Sequence, residues 1–223
     1  MHTTRQWIVK AFIVIFGLTF LAGTVLQISQ NFQIPPEQIL ARAEALLEAG
    51  QPEQALSESA ELRAKLPTDL RVIVLEAKIY HKQKKFDQAI ARFARAVTLQ
   101  PNNILLHQRL AVLYSSQKKY PQAEAALHKA LKIEPLNAPM HNMLGLLYLE
   151  QKRYPQAEQA LLEAVKSQPQ FPDAYRNLGV VYQAQGKTSE STRYLAQYLK
   201  LNPQAPNAGY IREQLRKSMK SPG

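Results

Sequence analysis

Apolar side chains stand four residues apart in three separate stretches of the chain. Leu110 and Tyr114 form the first pair, and the same Leu and Tyr spacing returns twice further on. Residues four apart lie on one face of an α-helix, so each pair is typical of a helix with a buried face. The pairs are Leu110 and Tyr114, Leu144 and Tyr148, and Leu178 and Tyr182.

A proline recurs at a constant interval of 34 residues. Proline lacks an amide donor and clashes with the preceding helical turn, so each of these prolines is expected to end a helix and to start the next unit. The positions are Pro67, Pro101, Pro135, Pro169 and Pro203. They divide the chain into five units, called repeats one to five here: 36–69, 70–103, 104–137, 138–171 and 172–205.

These units resemble the tetratricopeptide repeat (TPR) family, whose repeat is a 34-residue pair of antiparallel helices. The family's Leu-Gly-x-x-Tyr landmark stands at Leu144-Gly145 with Tyr148, and again at Leu178-Gly179 with Tyr182. The resemblance covers about three quarters of the chain. It implies an all-α fold, a right-handed α-solenoid of five helical hairpins.

Small residues explain how the two helices of each hairpin would approach closely. The first helices carry Ala77, Ala111, Gly145 and Gly179, and the second helices carry Ala89, Ala123, Ala157 and Ser191. After the last repeat, residues 206–223 place Ile211, Leu215 and Met219 every four residues among basic side chains. We predict a C-terminal capping helix that covers repeat five, and the alternative is a helix lying on a membrane surface.

Residues 7–28 do not belong to any repeat. Ala11 to Leu26 are sixteen residues without a charge, and a 22-residue helix spans about 33 Å, enough to cross a bilayer. We therefore predict a transmembrane anchor at 7–28, between a cytoplasmic N-terminus at 1–6 and a linker at 29–35. The competing interpretation is a signal peptide that is removed, which would leave a soluble secreted adaptor.

Basic residues stand before the uncharged run from Ala11 to Leu26, and acidic residues follow the predicted anchor. Arg5 and Lys10 favour a cytoplasmic N-terminus under the positive-inside rule. The repeats would then face the periplasm or a lumen, from an inner or thylakoid membrane that the chain crosses once. In a eukaryote, the same layout with cytosol-facing repeats would resemble an organelle import receptor.

The net charge of +11 is distributed unevenly, which suggests a directed contact with a partner. Repeat one has 3 basic and 7 acidic residues, whereas repeat two has 7 basic and 2 acidic residues. Basic residues also occupy equivalent turns and would form a ridge: Lys84, Lys85, Lys118, Lys119, Lys152, Arg153 and Lys187. Solvation alone explains such lysines, and the alternative is contact with anionic lipid or an acidic protein surface.

The resemblance also implies a partner-binding groove lined by the first helices. Its positions are Glu37, Leu40 and Glu44, then Arg71, Val74, Lys78, Lys82, Leu105, Gln108, Arg109, Val112, Asn142, Met143, Leu146, Arg176, Asn177 and Val180. The groove would be basic near repeats two and three, and apolar with amides toward repeats four and five. A peptide with an acidic end and an apolar body would fit, its backbone held by Gln108, Asn142 and Asn177. The alternative is that some of these residues pack within the stack, or that the partner binds elsewhere.

Nothing in the sequence predicts catalysis, a cofactor or a metal site. The chain has no cysteine, its five histidines are scattered, and it has no Gly-rich phosphate loop. Only Arg109 matches the residue set with which some TPR proteins hold chaperone C-termini. Nucleic acid is not expected as a partner, because no aromatic platform accompanies the lysines. We expect a membrane-anchored scaffold for protein–protein interaction that assists a complex such as a pilus or secretion system, cytochrome c maturation or photosystem assembly.

Overall fold

The computed structural model describes residues 34–220, which form eleven α-helices and no β-strand. The helices are α1 (Pro36–Glu48), α2 (Pro52–Lys65), α3 (Leu70–Lys82), α4 (Phe86–Leu99), α5 (Ile104–Ser116), α6 (Tyr120–Ile133), α7 (Ala138–Glu150), α8 (Tyr154–Ser167), α9 (Pro172–Ala184), α10 (Thr188–Leu201) and α11 (Ala208–Lys220). Two helices therefore fall within each 34-residue repeat, and α11 follows the last one. The all-α prediction is confirmed.

A left-handed residue ends the first helix of every repeat. Glycine occupies that position in the outer repeats, at Gly50 (φ 75°) and Gly186 (φ 74°), and glycine adopts such a φ without steric cost. Lysine occupies it in the three inner repeats: Lys84 (φ 58°), Lys118 (φ 54°) and Lys152 (φ 59°). In each turn the next amide donates back to a carbonyl of the finished helix, as Lys119 N does to Tyr114 O at 2.8 Å. This repeated turn reverses the chain between the paired helices.

Residues 34–65 form one compact part, made of α1 and α2. Its core consists of side chains that recur every three or four residues along the two helices, including Ile39, Ala43 and Leu62, which are fully buried. Arg42 on α1 forms an ion pair with Glu58 on α2 at its edge.

Residues 66–220 form the second compact part, in which each helix packs on the next along the chain. Its core is built mainly from alanine and leucine of the paired helices, such as Ala77 against Ala89 and Leu127 beside Ala111. Ridges of large side chains fill the space beside these alanines, and the small residues set how closely the helices approach.

In repeats four and five, glycine is needed where the two helices of the same repeat come closest. A Cβ atom at Gly145 would lie 2.5 Å from Leu161 Cγ, and one at Gly179 would lie 2.6 Å from Leu195 Cγ. Ser191 adds a hydrogen bond across the second contact, from its Oγ to the Gly179 carbonyl at 2.8 Å. These distances agree with the close helix approach expected from the small residues.

Helix α11 covers the second helix of repeat five. Ile211 and Leu215 are buried in a cluster with Leu195 and Tyr198. The helix therefore caps the end of this part, as the apolar stripe in the sequence predicts.

The predicted anchor at 7–28 lies outside the described residues. Among the helices within 34–220, none is both long enough and apolar enough to cross a membrane.

Candidate partner-binding surfaces

The predicted groove positions on the first helices include a row of exposed apolar side chains. Val112, Leu146 and Val180 occupy the same position in repeats three, four and five, and are 45%, 39% and 41% exposed. Leu105, at the start of α5, is 54% exposed. Exposed apolar side chains of this size that recur on one helix position are typical of a contact surface.

A pocket of about 340 Å³ opens beside this row, between α5 and α7. Val112, Met143 and Leu146 line it, and Ala111 and Leu127 form its buried base. A pocket of this size and composition suits an apolar side chain of another protein.

A carboxylate is held at the rim of the same pocket. Glu150 accepts hydrogen bonds from Ser115 Oγ at 3.3 Å and from Tyr120 OH at 3.1 Å. Loss of hydration together with the bond to Glu150 raises the pKa of Tyr120, so its phenol stays a donor. The rim is therefore polar but already internally bonded, whereas the pocket floor is apolar.

Basic residues extend the surface toward repeat two. Lys78, Lys82 and Arg109 are exposed on α3 and α5. Arg71 is exposed as well, but it donates through Nη2 to Asp69 Oδ2 at 2.7 Å and through Nε to Oδ1 at 3.1 Å. The hydrogen bond from Arg71 lowers the pKa of Asp69. The guanidinium of Arg71 is thus held by the residue that caps its own helix.

Two of the predicted amide contacts differ from the expectation. Asn142 and Asn177 are buried, 8% and 4% exposed, and Asn177 Nδ2 donates to Asn142 Oδ1 at 2.7 Å. These two side chains link α7 to α9, because buried amides pair with each other where water does not reach them. Half-buried Gln108 contacts Met143 through an Nε2 to Sδ distance of 3.5 Å. The two asparagines therefore pack within the stack, as the alternative reading of the groove allows.

Among the remaining groove positions, Glu44 is exposed but Leu40 is buried, so Leu40 packs in the core of its hairpin and does not line a groove. Two others are partly covered. Val74 is half-buried against the core, and Arg176 is half-buried with its Nη2 3.7 Å from Asp173 Oδ1.

The predicted basic ridge lies in the turns between paired helices, but its members differ in their surroundings. Three of them form ion pairs with the second helix of the preceding repeat: Lys119 with Asp87 (2.8 Å), Arg153 with Glu124 (2.9 Å) and Lys187 with Glu158 (3.7 Å). These three cations join neighbouring repeats. The ridge as a contact surface stays a prediction, and it now rests on Lys84, Lys85, Lys118 and Lys152.

A tyrosine completes each of the last two ion pairs. The sequence pattern predicted only a packing role for these two tyrosines. Tyr148 OH donates to Glu124 Oε1 at 2.7 Å, and Arg153 lies 4.4 Å from the Tyr148 ring centroid. Burial and the bond to Glu124 raise the pKa of Tyr148 to about 12. Burial opposes ionisation of Glu124, but the bonds from Tyr148 and Arg153 outweigh it and lower its pKa. Repeat five has the same arrangement, with Tyr182 OH 2.9 Å from Glu158 Oε1.

The histidines also have structural partners. His107 Nε2 lies 2.8 Å from the Pro101 carbonyl, and His141 Nε2 lies 2.8 Å from the Pro135 carbonyl. Tyr175, Arg95 and Arg212 donate in the same way to Pro169, Pro67 and Pro203 at 3.1, 2.7 and 2.8 Å. All five repeating prolines thus accept a side-chain hydrogen bond. Within 34–220 no group of three or more acidic or histidine side chains is placed to hold a metal ion.

Comparison with known solved structures gives the same fold. The chain is similar to a crystal structure of MamA protein, with 19% identity, a TM-score of 0.66, and 78% of this chain covered against 94% of that chain. It is also similar to Pseudomonas aeruginosa PilF (16% identity, TM-score 0.67, 83% and 84% covered). YrrB, described as a TPR protein with an unusual peptide-binding site, matches at 15% identity with a TM-score of 0.61, covering 78% of this chain and 90% of that chain. No curated protein matches the sequence.

Family models match most of the repeat region. A tetratricopeptide repeat model matches residues 144–216, and a second model of the same description matches 46–113 and 80–147. Repeats of this kind are protein-interaction scaffolds and not enzymes, which agrees with the expectation from the sequence. The chain belongs to the tetratricopeptide repeat family.

Proposed function

We propose that this protein is a scaffold that binds an extended segment of another protein along its first helices. The observation that carries this proposal is the row of Val112, Leu146 and Val180, each about two-fifths exposed in successive repeats. Covering exposed apolar side chains with a partner removes them from water and so stabilises the complex. The 340 Å³ pocket beside Val112 and Leu146 would hold one apolar side chain of that segment.

The basic end of the surface defines the chemistry of the partner further. Lys78 occupies in repeat two the position of Val112, Leu146 and Val180, so the row changes from apolar to cationic along the stack. Lys82 and Arg109 add exposed positive charge nearby. The segment would therefore have acidic residues at one end and apolar residues in its body. YrrB, with its peptide-binding site, has a similar fold, which is compatible with such a use of these helices.

Photo-crosslinking at the row followed by binding measurements tests this proposal. A benzophenone amino acid placed at Val180 would mark the bound segment in native membranes, and a synthetic peptide of that segment would then be titrated by calorimetry. Leu146→Asp should weaken binding at least about tenfold, because a charge would face the apolar body of the peptide. Leu162→Asp is the matched control, since Leu162 is 38% exposed on a second helix. Equal affinities for the two variants would reject the first-helix surface.

A charge reversal tests the cationic end separately. Lys78→Glu together with Arg109→Glu should weaken the same peptide, and most strongly at low ionic strength, because surface charges are screened by salt. Arg71→Glu is not suitable here, since Arg71 is bonded to Asp69. Unchanged affinity at low salt would remove the acidic residues from the description of the partner.

We also propose that residues 7–28 anchor the scaffold in a membrane, with the N-terminus in the cytoplasm and the repeats in the periplasm or a lumen. The sixteen uncharged residues from 11 to 26 support this, as do Arg5 and Lys10 before them. A scaffold held there would assist assembly of a membrane-associated complex. Full-length protein should stay in the membrane pellet after alkaline extraction, and protease added to intact cells or organelles should not reach the repeats. A mature N-terminus beyond residue 28 would instead show that the segment is removed.

A further inference from the structure

A second cleft, of about 380 Å³, lies between the second helices of repeats three and four. Leu131 on α6 and Leu144 on α7 provide apolar walls, and Ala160 on α8 leaves the space open. Tyr148 and His141 present rings to the same cleft. None of these residues belongs to the row on the first helices, so the cleft is a separate feature.

The next pair of repeats shows what the same place holds when it is filled. Ala160 corresponds in the 34-residue register to Tyr194, and His141 corresponds to Tyr175. The Tyr194 ring stacks on Tyr182, with centroids 5.2 Å apart and planes 13° apart. Tyr175 stands 6.4 Å from Tyr194 at an angle of 36°. Repeats four and five thus hold a half-buried tyrosine ring in the space that Ala160 leaves open one repeat earlier.

The ring that receives Tyr194 also has its counterpart in the open cleft. Tyr182 corresponds to Tyr148, and each of the two rings has a cation beside it: Lys187 at 5.5 Å from Tyr182 and Arg153 at 4.4 Å from Tyr148. Both phenols are fixed by a hydrogen bond to a glutamate of the preceding repeat. The stacking platform is therefore complete in repeat four, and only the second aromatic ring is missing.

We propose that this cleft binds an aromatic side chain, a tyrosine or a residue of similar shape, supplied by a partner protein. The incoming ring would stack on Tyr148 as Tyr194 stacks on Tyr182, between the apolar walls of Leu131 and Leu144. Polar side chains at the mouth of the cleft, Gln156, Gln159 and Glu163, are placed to bond a phenol hydroxyl or the partner's backbone. Aromatic anchors in pockets of this kind carry much of the binding energy of protein interfaces.

Amide NMR of the full-length chain tests the proposal with a small probe, N-acetyltyrosinamide. We expect fast-exchange shifts confined to residues around Tyr148 and Ala160, with a dissociation constant on the order of 1 mM for so small a ligand. N-acetylleucinamide should give at least about threefold smaller shifts at the same concentration, because it cannot stack. Equal shifts with both probes, or no shifts near Tyr148, would overturn the proposal.

Two variants exchange the residues that distinguish the clefts. Ala160→Tyr fills the open cleft with the chain's own ring and should abolish the shifts. Tyr194→Ala opens the equivalent cleft and should produce a second set of shifts around Tyr182. This second variant decides the matter if Ala160→Tyr does not fold. Retained binding in folded Ala160→Tyr, or no new shifts in Tyr194→Ala, would contradict the assignment.

A second copy of this chain is the other occupant that the experiment distinguishes. Tyr210 is 68% exposed on α11 and could serve as the incoming ring. Shifts near Tyr148 that appear on concentrating the protein without any probe, and that disappear in Tyr210→Ala, would overturn the assignment to a separate partner. Spectra that do not change with protein concentration agree with it.

Discussion

The hairpins of repeats two and four have the same backbone but opposite chemistry at one buried pair of positions. In repeat two, Glu76 on α3 is 1% exposed and its Oε2 lies 3.0 Å from Arg92 Nε on α4. In repeat four, the same two positions carry Leu144 and Ala160. The helices pair in both cases, so the 34-residue pattern of small residues and turns determines the hairpin, and the side chains between the helices can differ.

An apolar pair and a buried ion pair differ in how a substitution at one of the two positions destabilises the protein. An apolar pair loses packing energy in proportion to the atoms removed. A buried ion pair has already lost its hydration, so removal of one partner leaves an uncompensated charge. Repeat one uses the reversed charges at the corresponding positions, Arg42 and Glu58. Only in repeat two is the charged member of the pair on the first helix fully buried, because Arg42 in repeat one is exposed.

The largest effect is expected when the ion pair of repeat two is broken. Arg92→Ala should lower the free energy of unfolding by about 3 kcal/mol, because Glu76 would stay buried without its main counter-ion. Urea denaturation followed by circular dichroism measures this.

The paired replacement Glu76→Leu with Arg92→Ala copies repeat four and should restore stability to within about 1 kcal/mol of the parent, or exceed it. If the double variant is as unstable as Arg92→Ala alone, the two repeats are not interchangeable at these positions.

A smaller effect is expected at the close contact of repeat four. Gly145→Val should cost about 2 kcal/mol, since Leu161 is fully buried and cannot move away from the added atoms. Gly209→Val is the matched control on α11, where a Cβ would meet no atom within 4 Å. Repeat two accommodates Ala77 at the position of Gly145, so Gly145→Ala should lie between the parent and the valine variant. Equal losses for Gly145→Val and Gly209→Val would contradict the packing argument.

The hydrogen bond from Tyr148 to Glu124 should make the free energy of unfolding depend on pH. The pKa of Tyr148 is raised to about 12, so the folded state favours the neutral phenol. Its contribution is fully present below the unfolded pKa of about 10 and is lost as pH rises toward about 12. Tyr148→Phe should lower stability by about 1 kcal/mol near neutral pH and should show a smaller further loss above about pH 10.

The control for that experiment is Tyr210→Phe, because Tyr210 is largely exposed. It should leave the alkaline loss unchanged. Identical alkaline curves for the parent and Tyr148→Phe would show that the phenol contributes nothing to the pH dependence.

The smallest effect concerns the turn that closes the first helix of repeat four. Lys152→Gly should raise stability by about 0.5–1 kcal/mol, since lysine pays a steric cost at φ 59° that exceeds the entropic cost of glycine. Gln151→Gly, one residue earlier and at φ −83°, should lower stability instead. Thermal denaturation of both variants checks the direction, and a destabilised Lys152→Gly would contradict the strain argument.

Much of the fold follows from local features of the sequence. The prolines at 34-residue intervals predict where the second helices end, and Leu144, Gly145 and Tyr148 predict a first helix with one buried face. The resemblance carried by these residues supplies the antiparallel pairing. The shared position of Val112, Leu146 and Val180 was also visible in the sequence, and all three side chains are exposed. That they line a groove stays a prediction.

Contacts between repeats were not predictable from that pattern. The Tyr148 bond to Glu124 joins residues 24 apart, and the Asn142 bond to Asn177 joins residues 35 apart. Each depends on the angle between neighbouring hairpins, which the residue types do not specify. The open cleft did leave a signal, because Ala126, Ala160 and Tyr194 stand in one column of the aligned repeats. Interpreting this column as an open cleft required the structure, which shows Tyr194 stacked on Tyr182.

The carbonyl oxygens of the five spaced prolines have a bearing on how such a chain can change length. At Pro101, Pro135 and Pro169 the donor stands six residues further along the chain, so excising or duplicating one whole 34-residue period among these repeats would recreate the same junction. A deletion within the six residues that separate one of these prolines from its donor would disturb the hydrogen bond. Evolution or an engineer could therefore shorten or extend this protein in whole repeats, and the row of exposed apolar side chains on the first helices would change length in the same steps.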